Sequence, residues 1–467
     1  MKKFLRSFFI MLFILLLPIG GFFIYGNCIQ KDVYGETYYA ELKEKVERLK
    51  NVEEKKIVFI GGSSLIFGLR SEEIEKSTGY KIVDFGLYAS LGTSLMINLA
   101  EPYIKKDDVV ILAPEINEQT YSNYIGYEAA LKCFENMNYP INRFDPNENM
   151  KFFFHYFRYV IDKGNAKIEL TAPYDKASFN EFGDIDNEIV GNNIMASYYD
   201  ESQLIEPSKS LLNKEFIHEI NGLNNRLNKK GAKLFFSFSP TNALALKEEN
   251  LEEFDEELNS KLKCNILGSV KDFTYHQYYF YDTNFHLNRT GSYLHSKNLS
   301  NLLKESLNIE NNYEIEVGAV PEPKYFASDI IETIGGANYR QVYSNKKLTY
   351  SFVGLSEEYK NVESFEIPSM LRSIPVTSYE DKPFINMPNL TTVIIPETIE
   401  SMTGYLFENC PNVTGLYLKH SYPPVVRSEG LLDGANENCK IYIKKEVIRN
   451  FTNDYTWVNY RSKMASY

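Results

Sequence analysis

An uninterrupted apolar segment begins close to the N-terminus. Residues 7–25 carry no charged side chain over 19 positions. A helix that rises ~1.5 Å per residue would use this length to cover most of a hydrocarbon core of ~30 Å. The segment therefore predicts a membrane anchor over residues 7–27. The alternative interpretation is the apolar part of a cleaved signal peptide.

The charges on the two sides of this segment predict its orientation. Lys2, Lys3 and Arg6 precede it, whereas Glu36 is one of several acidic residues that follow it. Positively charged flanks stay on the cytoplasmic side of a membrane. We therefore expect residues 1–6 to be cytoplasmic and the bulk of this single-pass chain to be extracellular.

Beyond the anchor, the pattern of apolar and polar positions changes twice. Residues 37–50 are rich in charge and predict a helical stem, which we place within residues 28–55. From Lys56 onwards, short apolar runs alternate with helical periodicity, which is typical of a parallel sheet covered by helices. We expect this α/β domain to span residues 56–310. Its predicted strands are 56–62, 80–86, 108–115 and 232–240, and its predicted helices lie near 71–77, 93–104 and 210–229, with a last helix after Gly291.

Residues 117–210 interrupt this alternation. They are rich in Tyr and Asn and show no clean periodicity. Ligand clefts in open α/β sheets lie beyond the strand ends, so we expect this segment to be an insertion that caps such a cleft. The aromatic run at 152–159 predicts a helix face in the core, and the lining of an acyl or sugar site is the alternative.

A repeat with a period of 23 residues follows in the C-terminal part of the chain. Copies begin at Phe384 and Phe407, and a third copy aligns 28 residues upstream of the first. One short strand and turn cannot bury its own apolar face, so stacked copies must supply the core. These repeats resemble the BspA-type leucine-rich repeats of bacterial surface proteins. The resemblance implies a small β-rich solenoid over residues 346–467, joined by a linker at 311–345 and closed by a cap that holds Trp457. The side chains expected to point inward are Val393, Ile395, Leu416 and Leu418.

Composition narrows the classes of partner and cofactor. The formal charge of -12 and the scattered Lys and Arg residues argue against a nucleic-acid-binding surface. The five cysteines are widely spaced without a CxxC pair, so they indicate neither a zinc site nor a disulfide framework. Cys410 with Cys439 is the one pair to test. The motifs GxxxxGK[ST], HExxH and GxGxxG do not occur, so the sequence indicates no nucleotide, metal or other cofactor.

One group of residues has the types needed for covalent catalysis. A Gly-Gly-Ser-Ser sequence that ends at Ser64 follows a predicted strand and opens a helix, which places a serine hydroxyl beside unsatisfied backbone N–H groups. Such a turn alone also suits anion binding or a plain helix cap. Far downstream, Asp282 and His286 stand four residues apart and supply a general base with an orienting carboxylate. Ser63, His286 and Asp282 are therefore the candidate catalytic residues.

With these motifs, residues 56 to about 305 resemble the SGNH (GDSL-like) hydrolase superfamily. The resemblance is to its membrane-anchored branch, which includes DltD and the alginate acetylation proteins. It implies a three-layer α/β/α domain in which Ser63 is the nucleophile, His286 is the base and Asp282 orients the base. It also implies an oxyanion hole formed by the N–H groups of Ser63 and Gly86.

Two positions depart from the family pattern. Glu115 stands where the family usually has the Asn of a Gly-x-Asn block, so a carboxylate replaces the side-chain oxyanion donor unless Asn117 substitutes for it. A charged carboxylate there would repel an oxyanion. Asp282 precedes His286 by four residues, whereas the family commonly has three.

The resemblance implies an extracytoplasmic serine O-acyl esterase or O-acyltransferase. Its substrate would be an acylated cell-surface or extracellular glycan or polymer, and the repeats would bind a glycan or protein ligand. The rival hypothesis is a non-catalytic surface-binding or adhesion protein with a degenerate SGNH domain. The pairing of Ser63 with His286 favours the enzyme, and Glu115 favours the rival.

Overall fold

The structure, a computed structural model, describes residues 2–323, 325–344, 347–427 and 430–467. Met1 and the predicted boundary between linker and repeats at 345–346 lie outside the described residues. Within them, the α-helices are α1 (Lys2–Ile24), α2 (Glu41–Asn51), α3 (Ser63–Gly68), α4 (Ser71–Thr78), α5 (Thr93–Ala100), α6 (Tyr127–Phe134), α7 (Pro146–Asn165), α8 (Asn187–Val190), α9 (Lys214–Lys230), α10 (Leu251–Lys261), α11 (Arg289–Leu307) and α12 (Ile448–Asn453).

The strands are short, and most of them lie in three five-stranded sheets. They are β1 (Lys56–Gly61), β2 (Lys81–Gly86), β3 (Val109–Ala113), β4 (Lys233–Phe236), β5 (Thr241–Asn242), β6 (Asn265–Ile266), β7 (Thr274–Tyr275), β8 (Tyr325–Ile334), β9 (Ala337–Ser344), β10 (Lys347–Leu355), β11 (Ser364–Glu366), β12 (Met370–Leu371), β13 (Ile374–Tyr379), β14 (Phe384–Ile385), β15 (Thr392–Ile395), β16 (Ser401–Met402), β17 (Phe407–Glu408), β18 (Gly415–Leu418), β19 (Val425–Val426), β20 (Lys440–Ile443) and β21 (Met464–Ser466).

Helix α1 carries the predicted apolar segment. It continues into a π-helical turn at Tyr25–Ile29, and the stretch Lys3–Ile29 is long and apolar enough to cross a membrane. A signal sequence near an N-terminus has the same length and composition. The apolar helix itself is thus confirmed, whereas its retention and its orientation stay predictions.

The first sheet has the order β2-β1-β3-β4-β6, and each neighbouring pair of its strands is parallel. All four strands expected from the apolar runs are present in it. Every residue of β1 is buried, as expected for a central strand that is covered on both faces. The register pairs Gly61 with both Gly86 and Ala113, so the carboxyl ends of β1, β2 and β3 meet at one edge.

The helices around this sheet agree with the sequence except at their ends. Helix α5 stops at Ala100 and a 3-10 turn, Glu101–Tyr103, completes the predicted span. Helix α11 begins at Arg289, before Gly291 and not after it. The reason is local, because the side chain of Asn288 accepts a hydrogen bond from the Gly291 N–H and caps the helix there.

The predicted stem is part of the α/β core and needs correction. Leu42, Val46 and Leu49 recur at helical spacing on α2 and are buried in the same apolar cluster as β1. On the same helix, Lys45 is buried against Asp84 of β2, with Nζ 3.4 Å from Oδ2. Of the charged residues that suggested a stem, Lys43, Glu44 and Lys50 lie on the exposed face of this helix, whereas Glu41 and Lys45 are buried.

The insertion between β3 and α9 contains more regular structure than its sequence predicts. Helix α7 runs for 20 residues and begins where Asp145 accepts a hydrogen bond from the Glu148 N–H. Its aromatic run is only partly core, because Phe152 and Tyr156 are buried whereas Phe154 is exposed.

The C-terminal region is rich in parallel strands, as expected. Its sheet has the order β11-β15-β18-β20-β21. The register pairs Val393 with Leu416 and Ile395 with Leu418, which is the 23-residue period of the sequence. All four of these side chains are completely buried, so their predicted inward direction is confirmed. Every cysteine is a free thiol, including the pair Cys410 and Cys439.

The predicted linker at 311–345 also needs correction, because it contains the hairpin β8–β9. This hairpin pairs with β10 and extends a second sheet, β12-β13-β10-β9-β8. Gly335 and Gly336 form its turn with φ of 59° and 81°, a conformation that glycine adopts without strain.

Candidate active site

Ser63 stands at the carboxyl end of β1, where two glycines allow close approach. A side chain at Gly61 would collide with the backbone of β3, since a Cβ there would lie 2.6 Å from the Ala113 oxygen. A Cβ at Gly62 would lie 2.7 Å from Oε1 of Glu115. Gly62 is also the N-cap of α3, so Ser63 is the first helical residue and remains partly exposed.

His286 and Asp282 lie together on a tight loop that faces Ser63. The Tyr281 N–H donates to the His286 carbonyl at 2.8 Å and closes the loop, and the Thr283 hydroxyl oxygen accepts from the His286 N–H at 3.0 Å. His286 Nδ1 lies 2.8 Å from Asp282 Oδ1, and Nε2 lies 2.8 Å from Ser63 Oγ. The four-residue spacing is therefore compatible with a direct contact, because the loop turns back on itself.

This chain of contacts is the arrangement that activates a serine. A base hydrogen-bonded to the hydroxyl takes its proton during attack, and a carboxylate on the other ring nitrogen orients the imidazole and stabilises its protonated form. Ser63, His286 and Asp282 have these positions. The structure therefore brings the three sequence-predicted residues together.

Two aromatic residues of this site were missed by sequence reasoning. Phe67 stacks on the His286 ring with centroids 4.1 Å apart and 7° between the planes. Tyr174 donates to Asp282 Oδ2, and its hydroxyl lies 3.3 Å from His286 Nδ1. Burial and the Asp282 carboxylate raise the pKa of Tyr174, so this hydroxyl stays protonated and acts as a donor. Phe67 lies one helical turn after Ser63 and was open to inference, whereas nothing near Tyr174 in the sequence points to Asp282.

Glu115 is in direct contact with the serine turn. Its Oε1 accepts a hydrogen bond from the Ser64 N–H at 3.0 Å and lies 3.3 Å from Ser63 Oγ, where it can accept the hydroxyl proton. The residue is buried, so water screens its charge poorly. One hydroxyl proton on Ser63 thus has two acceptors in competition, Glu115 and His286.

The remaining residues implied by the resemblance are used differently. The Gly86 N–H, expected in the oxyanion hole, donates at 2.8 Å to Oδ1 of Asp84, because that carboxylate folds back over its own strand end. Asn117, the expected substitute donor, uses its side-chain oxygen to accept from the N–H groups of Gln119 and Thr120 and so closes the next turn. In this conformation the Gly86 N–H and the Asn117 side-chain oxygen therefore have other partners, and the oxyanion roles of both residues stay predictions.

Asp84 belongs to a buried ionic group behind the site. Lys45 Nζ donates to the carbonyl oxygens of Asp84 and Gly183 at 3.1 and 2.7 Å, in addition to its ion pair with the Asp84 carboxylate. Burial raises the pKa of Asp84, and Lys45 opposes that rise. The group ties α2, β2 and the insertion together beneath the serine turn.

No known protein family matches the chain, and no curated protein matches it significantly.

Proposed function

We propose that the α/β region is a three-layer domain of the SGNH type, and that it carries a serine O-acyl esterase or O-acyltransferase activity outside the cytoplasm. The substrate would be an acylated cell-surface or extracellular glycan or polymer. The observation that supports the proposal is the continuous chain of contacts from Ser63 Oγ through His286 to Asp282.

The reaction would proceed through an acyl-enzyme. Ser63 Oγ attacks the acyl carbonyl carbon and its proton passes to His286 Nε2. The bond from that carbon to the alcohol oxygen then breaks, and His286 returns the proton to the leaving alcohol. Water in an esterase, or an acceptor hydroxyl in a transferase, attacks the acyl carbon next and gives its proton to His286. The bond from that carbon to Ser63 Oγ then breaks, and His286 returns the proton to Oγ.

Oxyanion stabilisation would require a local rearrangement. The Ser63 N–H is the donor that the resemblance supplies, and the Gly86 N–H would have to leave Asp84 to join it. Glu115 would have to be neutral or turned aside while the oxyanion exists, because like charges repel strongly in a buried site.

For the C-terminal region we propose a BspA-type leucine-rich-repeat solenoid that binds a glycan or protein. The parallel strands β11, β15 and β18 support this interpretation, because their registers follow the 28- and 23-residue offsets between the copies in the sequence. Direct hydrogen bonds hold the region against the α/β domain, including the one from Tyr278 Oη to Glu400 Oε2 at 3.0 Å. Such contacts would present bound polymer from a fixed direction.

The rival function is surface binding without catalysis. The contacts of Glu115 with Ser63 and Ser64 favour it, because a fixed carboxylate at this place blocks oxyanion formation. The two functions differ in whether Ser63 reacts with an acylating reagent.

Labelling of the full-length chain by a fluorophosphonate probe tests the proposal. We expect labelling of the natural protein, and we expect Ser63→Ala and His286→Ala to abolish it, because members of one triad fail together. Ser64→Ala is the matched control, since the Ser64 hydroxyl is buried without a hydrogen-bond partner in the described residues and its N–H is retained. An absence of labelling in the natural protein would decide for the rival. Labelling that persists in Ser63→Ala would show that Ser63 is not the nucleophile.

A further inference from the structure

Helix α7 has three faces instead of two. One face is packed in the core and includes Phe152, Tyr156 and Val160. A narrow second face is polar. The third face is apolar and largely exposed, and we call it the outer stripe: Met150, Phe153, Phe154, Phe157 and Ile161.

The exposure of the outer stripe is unusual for a surface in water. Met150 is 54% exposed, Phe154 is 63% exposed and Ile161 is 57% exposed, and they follow one another at helical spacing. Single exposed apolar residues need no explanation, but a contiguous apolar patch marks a surface that contacts a partner or a membrane.

The outer stripe begins at the end of the membrane anchor. The ring of Phe22 lies 5.2 Å from that of Phe157, and the ring of Phe23 lies 5.5 Å from that of Phe153. Phe23 also stacks on Tyr156 at 4.4 Å with the planes 1° apart. Gly26 allows this close contact, because a side chain there would collide with Tyr156. The last turns of α1 and the middle of α7 therefore form one packed unit.

We infer that α7 lies in the interface of the lipid bilayer, with the outer stripe among the acyl chains beside the anchor. An amphipathic helix binds in this way with its apolar face buried ~5–10 Å into the boundary between headgroups and acyl chains. Continuity with α1 selects lipid as the occupant, because α1 as a membrane anchor would hold the stripe at the bilayer surface.

The polar face of α7 indicates which lipid headgroups the contact with the bilayer requires. Lys151 is paired with Glu148, with Nζ 3.0 Å from Oε1, and Arg158 Nε lies 3.4 Å from Glu128 Oε1. These cations already have carboxylate partners within the protein, so little net positive charge is left for anionic headgroups. The contact should therefore form on zwitterionic phosphatidylcholine.

Tryptophan fluorescence of the full-length chain in phosphatidylcholine nanodiscs tests the inference. The natural chain has a single tryptophan, Trp457, which is completely buried in the C-terminal region and gives a constant background. In Phe154→Trp, the added indole should emit at shorter wavelength than in water and should lose most of its intensity in discs with bromine on the acyl chains. Tyr405→Trp, an exposed site of the C-terminal region, is the matched control and should keep its intensity.

Two results would overturn the inference. The first is a Phe154→Trp signal that bromine does not quench in a variant that melts like the natural protein. The second is emission at short wavelength that bromine does not quench and that is lost when each disc holds a single copy of the chain. That result would mean that a second copy of the chain covers the outer stripe. Neither result depends on catalysis, so this test is independent of the proposed function.

Discussion

Glu115→Gln should accelerate ester hydrolysis if Ser63 is the nucleophile. The natural side chain places a carboxylate oxygen 3.3 Å from Ser63 Oγ and 3.0 Å from the Ser64 nitrogen. Glutamine has nearly the same shape, so its oxygen can still accept from the Ser64 N–H. Its NH₂ group then takes the place of Oε2. The change thus removes the negative charge beside Ser63 and keeps the contact with Ser64.

Coulomb's law sets the scale of the effect. Two like unit charges ~4 Å apart, at an effective dielectric constant of ~20, repel each other by about 4 kcal/mol. Each ~1.4 kcal/mol of transition-state energy is a tenfold change in rate. The repulsion is an upper limit, because the Glu115 side chain can turn aside in the transition state. We therefore expect kcat/KM to rise by roughly 10-fold to 1000-fold.

The assay is hydrolysis of p-nitrophenyl acetate by the purified full-length chain. Glu118→Gln is the matched control, because Glu118 is an exposed carboxylate three residues further along and its removal should leave kcat/KM unchanged. An unchanged or reduced kcat/KM in Glu115→Gln, with the control at the natural level, would refute the reasoning and would mean that the Glu115 charge takes no part in the barrier.

Two further predictions concern buried charge. Lys45→Met should lower the free energy of unfolding by roughly 3–5 kcal/mol in a urea titration, because it leaves the buried Asp84 carboxylate unpaired; an effect no larger than that of the exposed Lys43→Met would contradict it. Burial lowers the pKa of His295 from its ordinary 6.5 to about 3. As pH falls below 6.5, His295 becomes protonated in the unfolded chain but stays neutral in the folded chain. The free energy of unfolding therefore decreases from pH 6.5 towards pH 3. His295→Asn can keep a hydrogen bond to Tyr275 and lacks this pH-dependent loss. The difference in unfolding free energy between the natural protein and the variant should therefore be about 2 kcal/mol smaller at pH ~5 than at pH ~7.5. An equal cost at both pH values would show that His295 titrates normally.

The sequence predicts the sheet well for a physical reason. Strands β1, β2 and β3 are covered on both faces, so each one is an apolar run that stands out from the charged helices around it. Parallel pairing then brings their carboxyl ends together. Ser63 follows β1 and Glu115 follows β3, so the two residues meet at this edge of the sheet.

The sequence predicts a core-facing helix only at 152–159 of the 20-residue helix α7, because amphipathic periodicity disappears when two faces are apolar. Phe152 packs in the core and Phe154 lies on the outer stripe, so apolar residues surround most of the helix and the polar face is narrow. A method that looks for one apolar face finds no clean period there. The role of Tyr174 could not be predicted for a different reason. Its partner Asp282 lies 108 residues away in the sequence, and the two meet only because the insertion folds over the site.

The position of the candidate site relative to the bilayer follows from the start of the chain. Tyr38 comes nine residues after the apolar stretch ends at Ile29, and its ring lies 6.0 Å from that of Tyr174, the donor to Asp282. Nine residues of chain span at most about 30 Å even when fully extended. The reacting groups are therefore held within a short distance of the membrane surface if α1 spans the bilayer. A second connection has the same effect, because α7 is packed on α1 and the chain runs on from α7 to Tyr174. A site fixed at two points near the bilayer would favour acyl groups on a polymer that is attached to, or lies close against, the same membrane, and it would disfavour a polymer held far away.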